Sequence, residues 1–425
     1  MIYKRQMLIL VSWLYVICML ASCKNVEDSE ESVDVDESQS VFVVTEKNEE
    51  NPVEKPAKDS IVITYDVNRD SFFYGKDLYY NELKLTNIKT GERKYVCNVP
   101  GCLHEADSKD CTVIKETPWS YFSAVCGNKI SYYNFDKKEV RLINTDGSDI
   151  RTLAEVNDYI YIDEIGKILV DSHLYCLIRL TNSTVDETGY VNDVSGITRL
   201  YDIDFDSEKI SVIYEGEEVV YSNPGSIQYS DEKLCFTYED QTKKYEDSGI
   251  TKKEYMSNYK NYKDRRNEIL GLKEHIIILD LVTGKSREIE WKGPEGQSSA
   301  HPHGFINNAL YCYGNNGIYS YDLENDEQKV VYSGAYGYLV YQSADFVLLR
   351  WSNSADYSSG FEYAIIENGD DRIKKLETAD IVDFYITDEC YEQLKIQYHD
   401  AGINSAFDPR RVKFMDREEF KNMFK

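Results

Sequence analysis

The chain has 425 residues, with 48 Lys and Arg against 75 Asp and Glu, for a formal net charge of −27. A chain this acidic excludes nucleic acid as a partner, because tracking a polyphosphate backbone depends on neutralising it with Lys and Arg. With 42% hydrophobic residues, 36 Tyr and only 8 Pro, it predicts a large core built from strands.

The N-terminus reads as an export signal. Lys4 and Arg5 precede an uncharged apolar run, Met7 to Leu20, which is shorter than the roughly 20 residues of an ordinary membrane span. Leu20-Ala21-Ser22-Cys23 resembles the bacterial lipobox. That resemblance implies a signal peptide over residues 1–22 and a lipid on Cys23 that anchors the chain to the membrane on its extracytoplasmic side. The alternative is a retained membrane anchor with Cys23 inside it. From Lys24 to Asp59 there are 12 acidic and 4 basic residues, too little apolar surface to offset ordering entropy, so residues 23–59 are expected to be a flexible tether. Most of the negative charge nevertheless belongs to residues 60–425, the expected folded domain.

From residue 60 one pattern recurs: a strand, a second strand, a polar turn and a further strand. The turns are the clearest markers, at Thr90-Gly91, Asp146-Gly147, Asp206-Ser207, Thr283-Gly284, Asn325-Asp326 and Asn368-Gly369. Gly, Asn and Asp supply the positive φ or local side-chain bonds of a tight hairpin. A strand precedes each copy, at Leu78 to Tyr80, Ile130 to Tyr133, Leu174 to Cys176, Leu234 to Phe236, Leu310 to Cys312 and Phe346 to Leu349. A seventh unit begins at Ile381 to Thr387 and ends near Met415. About 52 residues per unit suits an all-β fold, a seven-bladed β-propeller of four antiparallel strands per blade with some long loops. Ile61 to Tyr65 is expected to complete the last blade and close the ring.

Val140 to Leu153, with Asn144-Thr145-Asp146-Gly147-Ser148 at its turn, resembles the blade repeat of TolB-like propellers. Together with the lipobox and the Cys97 to Cys111 segment, the chain resembles a clostridial-type family of bacterial lipoproteins with TolB-like propellers of unknown function. The resemblance implies fold and location and supplies no catalytic residue.

Cys97, Cys102, His104 and Cys111 form the main chemical cluster. Three thiols and an imidazole within 15 residues have the donor set for tetrahedral zinc, whereas an exported compartment favours a disulfide joining Cys102 to Cys97 or Cys111. The loop disulfide is the favoured expectation, with bound zinc and free thiols as the alternatives, and no other cofactor is expected. Cys176, Cys235 and Cys312 hold equivalent strand positions and read as small core residues. Asp202, Asp204 and Asp206 share a strand face, but a calcium loop starting at Asp202 would have Ser207 and Ile213 where Gly and Glu are needed. His301 and His303 flank a proline with no third ligand nearby. No Gly-x-Ser-x-Gly elbow occurs.

The chain is longest at Thr181 to Gly196, Glu239 to Gly271 and Ser352 to Gly360, each between the second and third strands of its unit. Such connections emerge on one face of a propeller, where a scaffold builds a binding surface. In the middle insertion, Tyr255, Tyr259 and Tyr262 stand at helical spacing beside Arg265 and Arg266, which predicts a short amphipathic helix. These five residues are either a basic, aromatic ligand-binding patch for a glycan or protein partner, or the packing face that pins the helix to the propeller. The favoured expectation is a non-catalytic binding module. An exported hydrolase or lyase with acidic residues at the channel mouth, and an envelope assembly scaffold, are the alternatives.

Overall fold

Short runs of β-branched and aromatic residues, separated by Gly, Asn and Asp turns, fold as strands along the chain. The computed structural model describes residues 62–425 apart from 66–70, 75–77, 82–83, 88–92, 105–107, 109, 113–115, 117, 157–160, 186–190, 290–301, 315–316, 335, 344, 355–360, 377–380, 390–392 and 401–411. The predicted signal, Cys23, the tether and His301 lie outside the described residues.

After β1 (Val62–Tyr65), seven sheets follow in chain order. The first holds β2 (Ser71–Tyr74), β3 (Leu78–Asn81), β4 (Lys84–Asn87) and β5 (Arg93–Tyr95). The second holds β6 (Pro118–Cys126), β7 (Lys129–Asn134), β8 (Glu139–Asn144) and β9 (Arg151–Glu155). The third holds β10 (Tyr161–Val170), β11 (His173–Val185), β12 (Val191–Asp204) and β13 (Lys209–Glu215). The fourth holds β14 (Tyr221–Ser230), β15 (Lys233–Gln241), β16 (Leu272–Asp280) and β17 (Ser286–Glu288). The fifth holds β18 (Gly304–Ile306), β19 (Ala309–Gly314), β20 (Gly317–Asp322) and β21 (Glu327–Ser333). The sixth holds β22 (Tyr336–Gln342), β23 (Phe346–Ser352), β24 (Glu362–Glu367) and β25 (Asp370–Lys375). The seventh holds β26 (Ile381–Glu389), β27 (Gln393–Asp400) and β28 (Val412–Asp416).

Strand order within each sheet follows the chain, and the pairings are antiparallel, so each sheet is a meander. Neighbouring sheets pack face to face: β2 meets β6, β10 meets β6 and β14, β14 meets β18, β19 meets β22, and β26 meets β2. Phe346 and Ile365 of the sixth sheet share a core cluster with Leu394 and Met415 of the seventh. This is a β-propeller, an all-β fold in which neighbours cover both faces of a sheet. Burial follows from that placement. All seven positions of β23 are buried, whereas the outermost strand β21 is largely exposed.

Five of the six predicted turns join third and fourth strands, Thr90-Gly91 lies outside the described residues, and the six marker strands are the second strands of their sheets. Three of the turns share a device. Asp204, Asp280 and Asp322 end their third strands and accept backbone N–H bonds from Ser207, Thr283 and Asn325. Cys176, Cys235 and Cys312 are buried on second strands, as expected of core residues.

Three expectations are corrected. β1 does not complete the last sheet; it pairs antiparallel with β10, from Val62 opposite Val170 to Tyr65 opposite Lys167. First strands line a propeller's axis, so β1 takes the axis-facing edge of β10, where a row of backbone groups would otherwise lack partners, and it also meets β26. The seventh sheet has three strands among the described residues, not four. The single amphipathic helix is broken into α1 (Lys252–Ser257), α2 (Tyr259–Tyr262) and α3 (Arg266–Leu270), because Asn258 leaves helical geometry between the first two.

At the C-terminus α4 (Arg417–Lys421) rests on the sixth sheet, with Phe420 buried against Phe346. Arg417 and Lys421 reach Asp345 at 2.8 and 2.7 Å.

Candidate metal centre and insertion surface

The connection from β5 to β6 carries the cysteine cluster. Its backbone turns sharply: Gly101 and His104 have φ of 69° and 57°, a left-handed conformation that costs a non-glycine residue about 1–2 kcal/mol. The turns bring Cys102 and His104 back toward Cys97 and Cys111. One ligand atom from each of the four residues lies within 4.8 Å of the others. His104 Nδ1 is 3.2 Å from Cys111 Sγ, and Tyr95 stacks on the imidazole at 4.0 Å, fixing the ring plane. Cys111 is fully buried, and Cys97 and Cys102 are half-buried.

Burial pushes the Cys97 thiol up, but hydrogen bonds from the backbone of Val99 and Thr112 and the side chains of Cys111 and Thr112 outweigh it. The thiol ends below its ordinary value. The cluster leans on the Asn144–Ser148 turn of the second sheet. Gly147 there has φ of 85°, and a Cβ on it would fall 2.5 Å from the Cys97 Cα, so only glycine admits the connection. Among the described residues this is the one group of three or more His, Cys, Asp or Glu side chains close enough to share an ion.

The aspartate row does not converge on a common point. Asp202 bonds His173 at 3.0 Å, Asp204 holds its turn, and Asp206 accepts from Ser172 Oγ at 2.7 Å. His303 stacks on Tyr313 instead of facing a ligand set.

The three long connections fall between second and third strands, as expected. At Thr181 to Gly196 the extra length is strand: β11 and β12 stay paired out to Val185 opposite Val191. Between β15 and β16 it is helical, and the insertion has a core of its own. Tyr255, Ile269 and Leu270 are buried, with Tyr245, Ile250, Tyr262 and Leu272 packed around them. Tyr255 stacks on Tyr262 and meets Tyr259 edge-on, both at 5.9 Å. Thr251 caps α1 by accepting from Glu254 N–H, Tyr262 donates to Glu254, and Gly271 ends α3 in the left-handed region.

Arg265 makes a two-point bond to Glu268, and Arg266 pairs with Glu239 at 2.6 Å. Tyr255 and Tyr262 pack the insertion and Arg266 ties it to Glu239 of β15, while Arg265 stays at the surface. Met256 (58% exposed), Tyr259 (50% exposed), Lys260, Lys263 and Arg265 are among the side chains turned to solvent, beside the acidic Glu254, Asp264 and Glu268. Between residues 242 and 271 there are eight basic side chains against five acidic ones.

One feature was not visible in the strand pattern. Lys167 Nζ lies 2.7 Å from Glu164 Oε1 and 3.0 Å from Ser123 Oγ, joining the second and third sheets with both charges buried. Glu164 also accepts from the N–H of Phe122, a buried residue at φ of 54°. Burial pushes the Glu164 carboxyl up, against the opposing pull of Lys167 and that N–H. A bulge between Glu164 and Gly166 shifts register and puts Glu164 and Lys167 on the same side. The Gly in Glu164-Ile165-Gly166-Lys167 was the available signal. Closed off from solvent, the pair is an interface staple, and removing one partner is expected to cost about 3–5 kcal/mol.

No family model matches the chain, and no curated protein matches it in sequence. Solved structures do resemble it. Acylaminoacyl peptidase of Pyrococcus horikoshii is 12% identical at a TM-score of 0.42, over 84% of this chain and 51% of that one. Dipeptidyl peptidase 4 of Porphyromonas gingivalis is 9% identical at 0.41, over 85% and 50%. Oligogalacturonate lyase from Vibrio parahaemolyticus is 11% identical at 0.38, over 76% and 82%. The chain spans about half the length of the two peptidases. The fold rests on the order and packing of the sheets and not on these likenesses. No helix among the described residues is long and apolar enough to cross a membrane.

Proposed function

We propose that this chain is a membrane-anchored extracytoplasmic lipoprotein of the TolB-like kind, whose propeller is a non-catalytic binding module for an acidic glycan or protein of the envelope. One observation carries the reading: a locally basic insertion with Met256 and Tyr259 turned outward stands on an acidic propeller. Opposite charge steers an acidic partner toward it, and the exposed apolar side chains supply contact area once it arrives. No Gly-x-Ser-x-Gly elbow occurs in the sequence, and the one group of His, Cys, Asp or Glu side chains close enough to share an ion among the described residues is the cysteine cluster of the β5–β6 connection. That favours binding over hydrolysis or lysis.

The insertion can be removed cleanly. Gln241 pairs with Leu272, and Thr242 N–H donates to Gly271 O, so its two ends already meet. Joining Thr242 to Gly271 without residues 243–270 is expected to leave a folded propeller that no longer captures its partner in crosslinking from intact cells. Lys260→Glu with Lys263→Glu is expected to weaken capture and reduce its salt dependence. Unchanged capture by the shortened chain would reject the proposal. The anchor is tested separately: Cys23→Ala should release the chain from the membrane fraction.

A further inference from the structure

We propose that Cys97, Cys102, His104 and Cys111 hold one zinc ion in a closed tetrahedral site that fastens the β5–β6 connection to the Gly147 turn. The inference is independent of partner binding.

Geometry comes first. With Zn–S near 2.3 Å and Zn–N near 2.0–2.1 Å, tetrahedral ligands stand about 3.5–3.8 Å apart. The four ligand atoms already lie within 4.8 Å of one another, so small side-chain rotations complete the site without moving the backbone. Donor chemistry narrows the ion. Thiolate and imidazole suit zinc and other thiophilic metals, while calcium and magnesium require oxygen. Four protein ligands leave no open position for water or substrate, which makes the site structural.

The surroundings fit that use. Hydrogen bonds reach the Cys97 sulfur from the Val99 and Thr112 backbone, and Tyr95 orients the imidazole; such outer partners fix first ligands and tune them. The two ends of the connection are anchored, by Val96 in the core and by buried Glu116 bonded to Tyr132, Asn134 and Arg141, and the metal fastens the stretch between them. Leu103 is 74% exposed, and His104 is left-handed. A turn that sends Leu103 into solvent gains its order from a cross-link more than from apolar burial. A disulfide between two of the sulfurs is the rival cross-link, and it would leave the imidazole and the third sulfur without a shared role.

The test uses the full chain, purified without chelators and analysed for metal by plasma mass spectrometry beside intact mass. One zinc per chain is expected. Cys97→Ser and Cys111→Ser should each lower zinc affinity at least about tenfold, and Cys126→Ser, on a thiol outside the cluster, should leave it unchanged. Cobalt loading should give tetrahedral thiolate bands. His104→Cys should keep the metal and shift those bands as a fourth thiolate replaces the imidazole, which separates ligation from a folding defect. A metal-free chain two hydrogens lighter than the all-thiol mass would overturn the proposal in favour of a disulfide. Full zinc in Cys111→Ser would overturn it as well.

Discussion

Two excursions leave the strands of this propeller, and they are held by opposite means. The insertion between β15 and β16 is long enough to bury Tyr255, Ile269 and Leu270 in a cluster of its own. The β5–β6 connection encloses sulfur and imidazole instead, and its Leu103 stays in solvent. Size explains the difference. Below some length a segment cannot remove enough apolar surface from water to offset its conformational entropy, and a cross-link takes over. The first excursion is therefore expected to answer to core mutations and the second to metal, thiol chemistry and acid.

The largest expected effect is that of Tyr255→Ala. Losing a buried aromatic side chain typically costs about 3–5 kcal/mol, enough to unfold the insertion. Limited proteolysis should then cut within residues 243–270 while the β5–β6 connection keeps its protection. Cys111→Ser should do the reverse, exposing residues 97–112 to hydrogen exchange and leaving the insertion unchanged. Gly147→Ala is expected to cost about 1–3 kcal/mol through its left-handed φ alone, and to weaken metal binding by displacing Cys97. Acid should also separate the two. Protons compete with metal for thiolate and imidazole, so falling pH should release metal and loosen the β5–β6 connection. The tyrosine cluster is held mainly by apolar packing, with Glu254 and Glu268 only at its exposed rim, and should lose less protection. The smallest effect belongs to Arg266→Ala, since an exposed pair such as Arg266–Glu239 contributes about 0–1 kcal/mol; thermal melting should move little.

Much of the architecture was legible because a propeller repeats its turn chemistry. Asp206-Ser207, Thr283-Gly284 and Asn325-Asp326 each marked a hairpin between third and fourth strands, and the strands ahead of them carried Cys176, Cys235 and Cys312 inward. What escaped was long-range. Nothing in Val62 to Tyr65 says which strand edge it joins, and the axis edge of β10 was chosen by ring geometry. Helical spacing at Tyr255, Tyr259 and Tyr262 placed all three near one another, but Asn258 broke the helix, and only packing shows that Tyr255 is core while Tyr259 faces water. The cysteine spacing supplied the ligand types. Their convergence depends on left-handed turns at Gly101 and His104 and on the glycine at 147, which a ligand count does not contain.

The most direct test of the two-excursion account is hydrogen exchange by mass spectrometry on the full chain, with and without a zinc chelator under reducing conditions. Chelation is predicted to speed exchange in residues 97–112 and to leave residues 243–270 as they were. Exchange in residues 97–112 that ignores the chelator, or a matching increase in the insertion, would contradict it.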